Sequence, residues 1–212
     1  RAQYAWNKVA LFVLFDAAQK QPSFVDNLRI QKLFFISEIK GREENLKTAY
    51  YKFFRYNFGP YSKTLANDVR HLEAFGFIDS ENRELTERGR FLFRFIQEEL
   101  AELKSAGNAV ELIQHTCEEH RHKTSSRLVD YVYDLRVPVD GLGKEIWTVR
   151  DIPMCTDILV PDDSDAHDVG PLPEALVEDI ESELQTPPKS LDPASEEFQE
   201  TMTERLRQAL LA

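Results

Sequence analysis

Cysteine is scarce: Cys117 and Cys155 are the only two in 212 residues. Two thiols offer no disulfide framework and fit a reducing compartment, so a cytoplasmic location is expected. Long apolar runs are missing too. The longest, residues 9–15, is far shorter than the roughly 20 residues of a membrane helix. It stops at Asp16 inside a pattern that continues as a helix face, so neither a signal peptide nor a membrane association is expected. The first residue is Arg1, and the natural start is expected to lie outside this sequence.

Catalytic signatures are also absent. There is no Gly-x-Ser-x-Gly elbow, no Gly-rich phosphate cradle before a helix and no His-Glu-x-x-His pair. No catalytic residue and no cofactor is expected, and a binding protein is favoured over an enzyme. His115, Cys117, His120 and His122 carry metal-ligating atoms, but they lack the separated second pair of a structural zinc site. They read as a solvated, partly packed helix, and no metal is expected. Asp163, Asp165 and Glu174 echo a calcium loop, yet Asp168 stands where such a loop needs glycine.

The net charge of −11 is unevenly spread. Residues 1–150 hold 23 Lys and Arg against 21 Asp and Glu, whereas residues 151–212 hold 3 against 16. A nearly neutral body neither demands nor forbids nucleic acid, because non-specific affinity needs clustered cations that displace counterions.

What is present is concentrated in residues 50–90. An aromatic extended segment, 49–58, leads to a break at Gly59 and Pro60, which is expected to open a helix over 60–75. Leu65, Val69, Leu72 and Phe75 give that helix one apolar stripe, and Lys63, Asn67, Arg70 and His71 fall largely off it. Gly76 stops it. Phe77-Ile78 and Glu84-Leu85 then flank a polar turn at residues 79–82, and Thr86 caps a helix carrying Phe91, Leu92, Phe95, Ile96 and Leu100. Helix, hairpin and helix in this order are how a winged helix-turn-helix is built. If the helix enters a major groove, Ser62, Lys63, Asn67 and Arg70 reach phosphates or base edges, with Asn82 and Arg83 touching backbone from the hairpin. Asp68 and Glu73 on the same helix reduce its positive potential.

Elsewhere, residues 6–17 form a helix apolar nearly all round. A second follows, capped by Asp26 or Asn27 and ended by Gly41. Ala106-Gly107-Asn108 marks a turn before a fifth helix, and Thr124 to Ser126 caps a sixth that Pro138 ends. The fold expected is mainly α with a small β component, an α+β winged body over residues 1–138. Residues 139–160 are an irregular or short-stranded connector, and residues 161–212 an acidic, Pro-broken tail of limited independent order. The tail holds two helical islands, 174–184 and 195–211. In the second, Phe198, Met202, Leu206, Ala209 and Leu210 form a stripe that makes a homodimer an expectation.

The run Leu28-Arg29-Ile30-Gln31-Lys32-Leu33-Phe34-Phe35, the junction Phe58-Gly59-Pro60-Tyr61-Ser62 and the turn Leu72-Glu73-Ala74-Phe75-Gly76-Phe77-Ile78 carry a resemblance. Together they resemble the YwgA-like and phage-associated SocA/Panacea proteins of prokaryotes, over about residues 7–138. Leu85-Thr86-Glu87-Arg88-Gly89 is similar to the wing-to-helix junction of winged-helix regulators. Arg29 departs from the pattern, standing where many relatives have Leu or Lys, and so does the acidic tail. The resemblance implies a small wing-bearing domain that works by binding. Its partner would be DNA, as for winged regulators, or a toxin or other protein of a phage-associated or defence locus, as for an antitoxin-like adaptor.

Overall fold

A helix that is apolar on nearly every side can be stable only if the rest of the chain surrounds it. In the computed structural model, which describes residues 2–19, 26–101, 103–161 and 172–186, that is the place of α1 (Ala2–Gln19), whose residues 5–15 are all buried. After it come α2 (Asn27–Glu44), β1 (Phe53–Tyr56), β2 (Gly59–Tyr61), α3 (Lys63–Ala74), α4 (Glu87–Leu100) and α5 (Lys104–Glu119). The chain continues through α6 (Ser125–Asp134), β3 (Arg136–Val139), β4 (Glu145–Thr148), β5 (Asp157–Leu159) and α7 (Glu174–Gln185). Helices dominate and the strands are short, as an α+β chain requires.

The few polar groups of α1 face inward and find partners there. Trp6 Nε1 donates to the Thr48 carbonyl at 3.0 Å, and Asn7 Oδ1 accepts from the Tyr50 amide at 2.7 Å. Lys8 forms an ion pair with Asp68, whose other oxygen accepts from the Tyr51 hydroxyl at 3.0 Å. These bonds fix the extended chain before β1 along the central helix.

Caps set most helix boundaries. Asp26, Ser62, Thr86 and Thr124 each accept from a backbone amide three residues on, which satisfies one of the orphan donors of a helix start. Gly41, expected to end α2, lies inside it. A Cβ there would sit 2.8 Å from the Leu46 carbonyl, so glycine admits the returning chain, and Asn45 in the left-handed region ends the helix. Arg29, fully buried, donates to the carbonyls of His120, Arg121 and Lys123, where α5 terminates. A cation there offsets the negative end of the helix dipole and satisfies carbonyls that the helix cannot.

Two further expectations change. Pro60 is not the first residue of a helix. It belongs to β2, opposite Arg55 of β1, and the helix begins at Lys63 behind the Ser62 cap. Gly107 and Asn108 lie inside α5, because Ala106 and Ala109 are fully buried along that helix and this burial outweighs two weak local breakers. Of the two forms expected for residues 139–160, irregular or short-stranded, the structure has short strands: β4 pairs with β3, and β5 completes a sheet of order β2-β1-β5. The acidic tail likewise begins with a packed element. Leu172, Leu176, Val177, Ile180 and Leu184, on and just before α7, are all buried. The second island, residues 195–211, with its stripe and the dimer it suggested, lies outside the described residues, as do Asp163, Asp165 and Asp168.

One buried carboxyl gives the fold a pH dependence. Glu38 is 4% exposed and accepts from the Thr48 hydroxyl at 2.9 Å. Burial pushes its pKa from 4.5 up to about 7, against the pull of Lys47 and the Thr48 hydrogen bond. The folded state therefore holds this proton more tightly than the unfolded chain. The contribution is full below pH 4.5 and is lost as pH rises through about 7. A Glu38→Gln variant is expected to gain on the wild type by on the order of 3 kcal/mol between pH 5 and pH 8. Urea unfolding at both pH values checks this, and an unchanged difference would contradict it.

Candidate functional site

The solvent face of α3 follows from which of its residues the core takes. Leu65, Asp68, Val69 and Leu72 are buried. Lys63, Asn67 and Arg70, at steps of four and three, are left along the middle of the exposed side. Arg70 Nη2 donates to Asn67 Oδ1 at 2.7 Å, and the Lys63 ammonium lies 5.8 Å from the centre of the Phe54 ring. These are surface contacts that exchange readily with water or a ligand.

Both acidic residues that were expected to weaken this face are neutralised within the protein. Asp68 points inward to Lys8 and Tyr51. Glu73 is held by Arg83. Among the cations near the helix and hairpin, Lys47, Lys52, Arg55, Lys63, Arg70, Arg83, Arg88, Arg90 and Arg94, Arg55 and Arg88 are buried, and so is Lys47, whose ammonium lies over the Tyr50 ring. Lys52 is paired with Asp157 at 2.8 Å and Arg90 with Glu84 at 4.0 Å. Among the described residues, the exposed members without a carboxylate at ion-pair distance are therefore Lys63, Arg70 and Arg94.

Two of the six expected contact residues are held by partners within the protein. Ser62 is fully buried: its hydroxyl caps α3, its amide donates to Gln31 Oε1 at 2.7 Å, and its carbonyl accepts from Gln31 Nε2 at 3.0 Å. Arg83 turns back to Glu73 and donates to Asn27 Oδ1 at 3.1 Å. Asn82 stays exposed at the hairpin tip, where Asp79 Oδ1 accepts from its amide at 2.7 Å. The hairpin itself is short, with Ile78 and Leu85 joined by a single antiparallel bridge.

Sequence patterning did not anticipate what flanks α3. The acidic helix α7 docks beside it: His71 Nε2 lies 2.9 Å from the Leu184 carbonyl, and Arg88 donates to the carbonyls of Glu183 and Thr186 at 3.2 and 2.9 Å. Arg88 was the available signal, an arginine directly after Glu87 at a helix start, where a cation is disfavoured unless a partner holds it. Near the β1–β2 turn, Tyr56 and Phe58 are exposed, and Met154 on the neighbouring loop is 50% exposed. The His115 to His122 segment brings no ligand set together. His115 is exposed, while Cys117 and His120 are buried. Burial pushes the Cys117 thiol up to about 12 and the His120 imidazole down to about 4. Among the described residues, no three His, Cys, Asp or Glu side chains converge, and no helix is long and apolar enough to cross a membrane.

Comparisons with protein-family models, curated proteins and solved structures find no match to this chain.

Proposed function

We propose that the chain is a non-enzymatic, winged-helix-type DNA-binding regulator of a prokaryotic or mobile-element locus, related to the YwgA-like and SocA/Panacea proteins, with α3 as its reader. One observation carries this reading. Lys63, Asn67 and Arg70 share one exposed helix face, and the helix's own carboxylates, Asp68 and Glu73, are both paired inside the protein. The face thus presents uncompensated positive charge and one amide side chain, the groups that contact phosphates and purine edges. Asn82 at the hairpin tip is the one wing residue left to touch backbone.

Fluorescence polarisation of a labelled duplex with the full chain tests this. Changing Lys63 and Arg70 together to alanine is expected to weaken binding by roughly 10- to 100-fold. Arg136→Ala, on the exposed edge of β3, should leave it unchanged. Equal binding by all three proteins would remove α3 as the reader.

A second reading rests on the apolar surface at the β1–β2 turn, where Phe58 is 64% exposed. Exposed aromatic side chains grouped in this way suit an antitoxin-like or adaptor protein that grips a protein partner. In that case Phe58→Asp abolishes partner binding and the alanine changes on α3 do not.

A further inference from the structure

We propose that the junction at Gly59 and Pro60 is a binding site for a small, doubly charged oxyanion of the phosphate or sulfate class, held by Lys32 and Arg55. The proposal does not rest on the reading of α3.

Two buried cations stand there without the compensation that their counterparts elsewhere receive. Lys8 has Asp68, Arg88 has Glu183, and Arg29 has three carbonyls at the end of α5, against a single carbonyl each for Lys32 and Arg55. Lys32 is 2% exposed and Arg55 9% exposed, and among the described residues neither has a carboxylate at ion-pair distance. The register of the hairpin brings them together. Arg55 lies opposite Pro60, and the Pro60 carbonyl accepts from Lys32 Nζ at 2.8 Å. Burial, reinforced by the neighbouring Arg55 charge, lowers the Lys32 ammonium to about 7. Two like charges out of water are costly unless the lysine gives up its proton or an anion joins them.

The donors fit such an anion. An ammonium carries three N–H groups, and the Pro60 carbonyl takes one. Arg55 donates from Nη1 to the Tyr56 carbonyl, while its Nε is buried without a partner. Gly59 borders the Lys32 ammonium. A Cβ at Gly59 would lie 3.5 Å from Lys32 Nζ and 3.6 Å from the Tyr133 ring, and the φ of +90° there disfavours any side chain. Tyr133 forms one wall, with its hydroxyl donating to the Asn57 carbonyl at 2.9 Å and its ring 5.0 Å from the Arg55 guanidinium. Arg150 lies 5.9 Å from the same ring and is paired at the surface with Asp134 at 2.7 Å. A recessed pair of cations suits a small free anion better than the phosphates of a duplex, which stay on a broad outer surface.

Isothermal titration of the full chain with sodium sulfate, then with inorganic phosphate, tests the site against sodium chloride at matched ionic strength. The expected result is saturable one-to-one binding of the dianions that chloride does not reproduce. Arg55→Met and Lys32→Met should each weaken it by roughly tenfold or more. Lys63→Ala with Arg70→Ala should leave it intact, which separates this site from the α3 face. A folded wild type without saturable sulfate or phosphate binding would overturn the proposal, and so would binding that survives in folded Arg55→Met protein. Should Lys32→Met fail to fold, the wild-type titration and the Arg55→Met variant decide the matter between them.

Discussion

A Gly89→Ala variant is expected to lose about 3 kcal/mol or more of stability, although helix propensity by itself predicts a gain of up to about 1 kcal/mol. Gly89 lies in the first turn of α4, under the hairpin. A Cβ there would sit 2.2 Å from the Phe77 carbonyl oxygen and 3.1 Å from its carbon. That carbonyl cannot withdraw, because it accepts from the Thr86 amide at 3.0 Å and the Thr86 side chain caps α4. The steric term therefore wins, and the hairpin must part from the helix. Gly107 in α5 is the internal control. Nothing lies within 4 Å of its Cβ position, so Gly107→Ala is expected to stabilise by about 0.4–1 kcal/mol. Urea unfolding of the two variants should give opposite signs. Two similar small effects would show that the hairpin is not clamped to α4.

Replacing Arg88 by methionine is expected to cost about 3–5 kcal/mol and to release α7. The guanidinium donates to Phe75 O at 2.9 Å, lies 4.2 Å from the Phe77 ring and bonds the last carbonyls of α7. Methionine replaces the packing volume but not the donors, and it removes the positive charge beside the buried carboxylate of Glu183. Hydrogen exchange should then rise over residues 174–185 while α1 stays protected. A loss below about 1 kcal/mol, with α7 protected as in the wild type, would contradict the anchoring role.

The boundary between what could be read from the chain and what could not follows the range of the interaction concerned. The helices α4 and α6 were legible because their signals are local, an apolar period of 3.6 and a Thr cap bonding three residues on, and α1 because its sequence is apolar on nearly every side. The exposed stripe Lys63, Asn67 and Arg70 was legible for the same reason. Pro60 was misplaced because the pairing of β1 with β2 takes it into a strand, a preference that a Gly-Pro pair does not declare. The three residues of β5 become a strand only by meeting β1 from about 100 positions away. Ser62 reads as a contact residue on a helix opened by Pro60, but it is the cap before Lys63, and Gln31 of α2 decides that it faces inward. The same holds for Lys32 and Arg55. Charge can be read from the chain, but the absence of a countercharge exists only once α2, β1 and α6 are assembled.

The proposed role of α3 depends on phosphate neutralisation by a helix face whose own acids are silenced. The most direct measurement is the salt dependence of duplex affinity for the wild type and for the protein with Lys63 and Arg70 both changed to alanine. The account predicts a wild-type affinity that falls by roughly tenfold or more between 50 and 200 mM salt, and a logarithmic slope shallower by about 2 in the double variant. A duplex affinity indifferent to salt, or one whose slope is the same in both proteins, would contradict it.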